Sequence, residues 1–350
     1  MTATLLDPVD ALTRRRLLTG AGALGLIGLL PACASGQNAA VPPSPTAEAQ
    51  PWKFTDDRGR TVTLNLRPER VVAFVGAAAG LWDLGLRPIG TFGPLKRPDG
   101  SPDPRAGNVD PDAVESLGGE LGDADMTFNV ERYAALRPDL LVTVMRVEDQ
   151  LWFVPEESAA EIEQIAPTIG IRASQRPIRQ PLERLAELAA ALGADLQAPT
   201  AADAKARFDA ASQQLAAIAE DKPGLKVLVA AGYSDMLYVA KPADIPDLVY
   251  LSELGLDLVV PGDTEPSPFE GVSWEQADRY PADVIMYDAR AQALTPEQMA
   301  EYPIWSKLPA VTAGQLVPWQ ADSPFSYAIQ ADIFEELGSH LKSFRDDLVT

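Results

Sequence analysis

Apolar positions change their spacing several times along this chain, and each change marks an element. From Lys53 to Leu64 apolar and polar residues alternate on both sides of Asp57-Arg58-Gly59, which predicts a β-hairpin. Residues 70–75, 139–144 and 167–171 are nearly continuous apolar runs, the pattern of strands buried on both faces. Among them lie helical stretches at 77–84, after a break at Gly76, then at 130–136 and 181–193, with a further strand at 86–92. Beyond Pro223-Gly224 the series restarts. Strands are expected at 226–230, 236–240, 283–287 and 315–319, and helices at 244–254 and 326–345. Between the two series runs the longest helical pattern, 200–220, with Ala204, Phe208, Ala211, Leu215 and Ile218 on one face. Strands that alternate with helices predict parallel sheets covered on both faces. The expected fold class is α/β: two Rossmann-like lobes with mainly parallel sheets, joined by one long interdomain helix, with a ligand cleft between the lobes.

The second series echoes the first. A shift of 144 residues brings Glu131 onto Glu275, Asp139 onto Asp283 and Arg146 onto Arg290. Each copy reads as a capped short helix, a turn, a buried strand and an Arg just past it. Asn129 and Ser273 are N-cap residues, and Ser273 with Gln276 fits a capping box.

The N-terminal pattern is different. Thr13-Arg14-Arg15-Arg16 precedes an apolar run over 21–30, then Leu30-Pro31-Ala32-Cys33. A span of about 10 apolar residues is short of the roughly 20 that cross a bilayer, so it reads as a removable export signal. Cys33 is the only cysteine, and the segment resembles a bacterial lipoprotein signal, with cleavage before a lipidated Cys33. The paired arginines resemble a twin-arginine signal. Residues 34–50 are small, polar and Pro-rich, a flexible tether. The expected organisation is an export signal at 1–32, a lipidated Cys33 with its tether at 33–50, an N-terminal lobe at 51–198, the helix at 199–221 and a C-terminal lobe at 222–350.

Charge narrows the partners. The chain carries −21, and residues 1–32 contribute +1, so the remainder carries −22. That argues against nucleic acid, which needs a basic face. The single histidine, His340, sits in the last helical pattern, so no His- or Cys-based catalytic or metal site is expected. No Gly-rich phosphate loop occurs. Neither catalysis nor a resident cofactor or metal is expected. In open parallel sheets ligands bind beyond the carboxyl ends of the strands. The candidates there are Arg146 and Arg172 in the first lobe, and Tyr233, Arg290, Trp319 and Tyr327 in the second. Arginines with aromatic groups suit a large ligand with flat apolar surface and anionic oxygens. Solvated loop charges and core packing account equally for these residue types, and helix-dipole complementarity for Glu131 and Glu275.

The order of motifs resembles bacterial ABC-transporter substrate-binding proteins of the ferric-siderophore and cobalamin type (periplasmic binding proteins of class III). The likeness is carried by Phe54-Thr-Asp-Asp-Arg-Gly-Arg-Thr-Val-Thr-Leu, by Arg67-Pro-Glu-Arg-Val-Val-Ala, by Asn129-Val-Glu-Arg-Tyr-Ala-Ala-Leu-Arg-Pro-Asp-Leu-Leu-Val, and by Ser273-Trp-Glu-Gln with Tyr280-Pro-Ala-Asp-Val-Ile. It covers residues 52–345. The resemblance implies a non-enzymatic, monomeric receptor on the outer face of the cytoplasmic membrane. Such a receptor would capture an iron(III)-siderophore, the iron arriving already chelated, and deliver it to an ABC permease. Glu131 and Glu275 match the family's pair of transporter-docking carboxylates. Cobalamin or haem as cargo, or a non-transport envelope lipoprotein, are the alternatives it leaves open.

Overall fold

The computed structural model describes residues 50–119, 128–147, 149–262 and 267–349. The export signal, Cys33 and the tether up to residue 49 lie outside the described residues. Ala49–Thr350 is one compact unit.

The body opens on a hairpin, β1 (Trp52–Thr55) antiparallel to β2 (Thr61–Leu64). Buried Asp56 holds its turn: one oxygen accepts the N–H groups of Arg58 and Arg60, the other the N–H of Gly170 at 3.0 Å. The hairpin is thereby fixed to the edge of the first sheet.

That sheet comprises β3 (Val71–Phe74), β4 (Gly90–Phe92), β5 (Glu115–Ser116), β6 (Leu140–Val147), β7 (Gln150–Leu151) and β8 (Thr168–Arg172). Its order is β5-β4-β3-β6-β7, with β8 also paired to β6, and only β7 antiparallel. Among the described residues four α-helices belong to this lobe: α1 (Val75–Asp83), α2 (Val130–Leu136), α3 (Glu156–Ile165) and α4 (Arg179–Ala191). Two expectations are corrected here. The strand at 86–92 shortens to β4, because Pro88 has no N–H for a ladder and Leu86 bonds back to Leu81 at the end of α1. There is no break at Gly76; α1 begins directly at Val75. Its glycines serve packing instead. A Cβ on Gly80 would lie 2.1 Å from the Phe325 carbonyl oxygen, and Phe325 N–H donates to the Gly76 carbonyl at 3.0 Å. The α3 helix buries only Ile162 fully, so its apolar stripe is thin among four glutamates.

After α5 (Pro199–Asp221) the second sheet assembles from β9 (Lys226–Gly232), β10 (Leu237–Ala240), β11 (Asp257–Leu258), β12 (Phe269–Val272), β13 (Val284–Asp288) and β14 (Leu316–Trp319). The order is β12-β10-β9-β13-β14, with β11 beside the start of β9. The pairs β9–β13, β13–β14 and β9–β11 are parallel. The pairs β9–β10 and β10–β12 are antiparallel. This departs from a simple repeat of the first lobe. The link between β9 and β10 reverses within a few residues, Tyr233 N–H bonding the Met236 carbonyl, and so short a link cannot make a parallel crossover. Helices α6 (Pro246–Glu253), α7 (Pro296–Met299), α8 (Pro309–Thr312) and α9 (Tyr327–Ser343) complete the chain.

Alternation explains how the second sheet buries both faces. Val227, Val229 and Met286 join the main core, which also contains the first sheet's Val72 and Leu141. Leu228, Ala230 and Ile285 join a second cluster with Trp274 and Trp305. The α5 helix turns Phe208, Leu215 and Ile218 inward, and the Phe208 ring lies 5.4 Å from Phe334 of α9. Ser326 caps α9, accepting the N–H of Ile329, and also bonds Asp83 at the end of α1. The C-terminal helix is thus tied to the first lobe.

Candidate functional site: the interlobe cleft

The carboxyl ends of β6 and β13 each carry an arginine, and both reach one carboxylate. Asp322, in the segment after β14, accepts from Arg146 at 2.6 Å through one oxygen and from Arg290 at 2.9 Å through the other. Arg146 belongs to the first lobe and Arg290 to the second, so Asp322 bridges them. Burial works against the charge of Asp322, but Arg146, Arg290 and Arg105 outweigh it and hold its pKa below the ordinary carboxylate value. Arg290 is committed further: its Nε and Nη2 donate to Asp288, whose side chain is fully buried. Burial also opposes the Arg290 charge; the bonds to Asp288 and the field of Asp322 reverse that and raise its pKa. Arg105 pairs in turn with buried Asp103 at 2.8 Å.

Beside Arg290 opens a cavity of about 420 Å³, lined by Ala231, Tyr233, Asp235, Tyr238, Phe269 and Arg290 together with Ser267. Its size suits a small-molecule ligand. The Tyr233 and Tyr238 rings meet edge to face at 5.6 Å, and Tyr238 donates its hydroxyl proton to Asp235. Burial raises the pKa of Tyr233, with Arg290 opposing, so its phenol stays protonated as a donor. Arg146, which reaches Arg290 through Asp322, lies over the Trp152 ring at 5.2 Å. Arg146 Nε and Trp152 Nε1 are buried donors that meet no acceptor among the described residues. Phe153, next to Trp152, holds a positive φ of 60°, a conformation that costs a non-glycine residue about 1–3 kcal/mol and occurs preferentially at ligand sites.

The structure brings Arg146, Arg290 and Tyr233 to this cleft. It separates the other candidates from it. Trp319 is 3% exposed and donates its indole N–H to Asp247 at 2.6 Å, so it packs behind the cavity wall formed by Phe269. Tyr327 stacks edge to face on Phe208 of α5; both aromatic residues are spent on packing. Arg172 lines a different cavity of about 350 Å³ with Asp57, Arg176, Gln180 and Arg184, on the hairpin side of the first lobe. Residue-type reasoning misses Asp322, Asp288, Trp152 and Phe269. A single Asp in an acidic chain carries no signal, and Trp152 directly follows a two-residue strand with no periodicity.

Glu131 and Glu275 are both exposed and pair with no cation among the described residues. Glu131 lies in the first turn of α2, capped by the Asn129 side chain. Glu275 lies in a 3-10 turn over Trp274–Arg279. The expected capping box does not form there; the N–H of Gln276 bonds the Ser273 carbonyl instead of its hydroxyl, because a 3-10 turn closes at three residues. Among the described residues no group of three or more His, Cys, Asp or Glu is placed to hold a metal, and no helix is long and apolar enough to cross a membrane.

Two α/β lobes, a helix between them and a polar, aromatic cleft at their strand ends define a solute-binding protein. The chain belongs to the periplasmic binding protein family, whose model matches residues 106–323; its members bind solutes outside the cytoplasm and do not transform them. It is similar to DesE, a ferric-siderophore receptor protein from Streptomyces coelicolor, at 40% identity over 85% of this chain and 99% of that one, with a TM-score of 0.79. The petrobactin-binding protein YclQ from Bacillus subtilis shares the fold at 18% identity and a TM-score of 0.66, over 84% and 99% of the two chains. So does the siderophore periplasmic binding protein from the fuscachelin gene cluster of Thermobifida fusca, at 23% and 0.57, over 79% and 96%. No curated protein matches the chain.

Proposed function

We propose that this protein captures an iron(III)-siderophore between its lobes and hands it to an ABC importer. The observation that carries the reading is the cleft itself. An aromatic wall of Tyr233, Tyr238 and Phe269 offers flat apolar surface. The Tyr233 hydroxyl on the same cavity adds a donor suited to oxygen acceptors. The likeness to DesE supports the same cargo class. Iron is cargo, held by the siderophore's own oxygens, so the protein needs no metal ligands of its own. Glu131 and Glu275, one per lobe and exposed, suit basic pockets on a permease.

In this reading Cys33 carries lipid, and the protein works as a monomer tethered to the outer face of the cytoplasmic membrane. Radioiron uptake tests it. Cells lacking the gene should lose uptake of one ferric siderophore and regain it with the wild type. Cys33→Ala should move the protein from the membrane to the soluble fraction. Undiminished uptake of every ferric siderophore in the deletion strain contradicts the transport role.

A further inference from the structure

Arginines in a siderophore cleft suggest at first an anionic ligand. The ion pairs here point the other way. Arg290 is held by Asp288 and Asp322, Arg146 by Asp322, and Arg105 by Asp103. Asp235 adds a further carboxylate to the cavity lining. Taken together, the carboxylates of Asp103, Asp235, Asp288 and Asp322 outnumber the guanidiniums of Arg105, Arg146 and Arg290. The cleft therefore offers hydrogen-bond donors and aromatic faces, but no uncompensated positive charge from these residues.

Ferric siderophores differ in charge in a way such a cleft can read. Three hydroxamates, each singly charged, cancel the charge of iron(III) and give a neutral complex. Three catecholates, each doubly charged, leave three negative charges in excess. Bringing a trianion against Asp322 and Asp235 sets like charges together in a partly desolvated site, and like-charge juxtaposition costs several kcal/mol. A neutral complex carries no such penalty, and its hydroxamate oxygens can accept from the Tyr233 hydroxyl on the cavity wall.

We propose that Asp322 is the charge-selecting residue of this cleft: by engaging Arg146 and Arg290 together, it restricts the cargo to ferric complexes without net negative charge, of the trihydroxamate kind. This rests on the ferric-siderophore reading above and names the substrate class within it.

Asp322 also has a positional consequence. It touches an arginine of each lobe, so the selecting charge sits on the seam where the lobes meet.

The test compares two probes, a neutral cyclic ferric trihydroxamate and a trianionic ferric tricatecholate, titrated into the wild type, Asp322→Asn and Asp322→Glu. The wild type should prefer the trihydroxamate by at least about 100-fold, and Asp322→Asn should cut that ratio by about tenfold or more through tighter tricatecholate binding. Asp322→Glu, which keeps the charge, should retain most of the preference. The wild-type comparison stands alone should Asp322→Asn fail to fold. Equal or tighter binding of the tricatecholate by the wild type overturns the proposal while leaving the siderophore function intact. So does an unchanged ratio in a folded Asp322→Asn. If the folded wild type binds neither probe, the selection proposal falls, while the siderophore function rests on the uptake experiment.

Discussion

Asp139 and Asp283 stand 144 residues apart and do the same job in the two lobes. Asp139 accepts the N–H groups of Glu69 and Arg70, just before β3, at 3.0 and 2.9 Å. Asp283 accepts the N–H of Lys226, the first residue of β9, at 2.9 Å. Each carboxylate precedes its own strand and pins the start of the neighbouring parallel strand, so it sets sheet register. The two differ in burial. Asp283 is fully buried and accepts two more N–H groups, from Leu348 and Val349. Removing it leaves three part-buried donors unpaired, and an unpaired donor costs up to about 1–3 kcal/mol when buried. Asp283→Ala should therefore lower stability by about 3 kcal/mol or more and Asp139→Ala by about 1–2 kcal/mol, as read by urea unfolding. Equal losses contradict the burial account.

Gly80 makes a steric prediction. A Cβ at this position would meet the Phe325 carbonyl oxygen, which is backbone and cannot swing away. Gly80→Ala should destabilise by roughly 1–3 kcal/mol, the range for overpacking, despite the better helix propensity of alanine. Thermal melting of the variant checks this; a gain in stability means that the segment before α9 does not press on α1.

Asp247 predicts a pH dependence. Burial pushes its carboxyl up to about 6, with the Trp319 indole bond and the charge of Arg146 opposing. Its unfolded value is about 3.9. Between those values the folded state binds more protons, so this group adds stability as pH falls from above 6 toward 4, and its penalty is complete above about 6. Two pKa units amount to about 3 kcal/mol at most. Asp247→Asn should remove that dependence. Its stability relative to the wild type should be more favourable at about pH 7.5 than at about pH 4.5. A pH-independent difference between variant and wild type rejects the assignment.

Glu131 and Glu275 separate binding from delivery. Glu131→Ala with Glu275→Ala should leave the affinity for the ferric complex unchanged, since neither carboxylate is in the cleft. The same double variant should reduce uptake by at least about tenfold. Wild-type uptake by the double variant places the transporter contact elsewhere.

Much of the architecture is legible in the sequence because buried parallel strands are written as apolar runs. The stretches around Val72, Leu141, Val227 and Ile285 show this, as does the helical face of Phe208, Leu215 and Ile218. Local chemistry is less legible. Pro88 truncates β4, and the β9–β10 reversal makes β10 antiparallel; both are decided by one or a few residues against the wider pattern. In the cleft, Arg146 and Arg290 can be found because each sits at the end of a strand. Asp322 cannot, because its meaning lies in the two arginines that converge on it from separate lobes. Trp319 and Tyr327 look like ligand-binding aromatics by type, yet packing against Asp247 and Phe208 claims them.

The most direct test of the whole account is a tryptophan-fluorescence titration of residues 49–350 with ferric hydroxamate, catecholate and carboxylate siderophores. Trp152 stands beside Arg146, so a ferric complex in the cleft should quench it. The account predicts saturable quenching at submicromolar ligand by one class, much reduced in Trp152→Phe, with affinity at least about tenfold weaker in Tyr233→Ala and Arg146→Ala. Absence of quenching by every ferric siderophore, or quenching whose affinity ignores Tyr233 and Arg146, contradicts it.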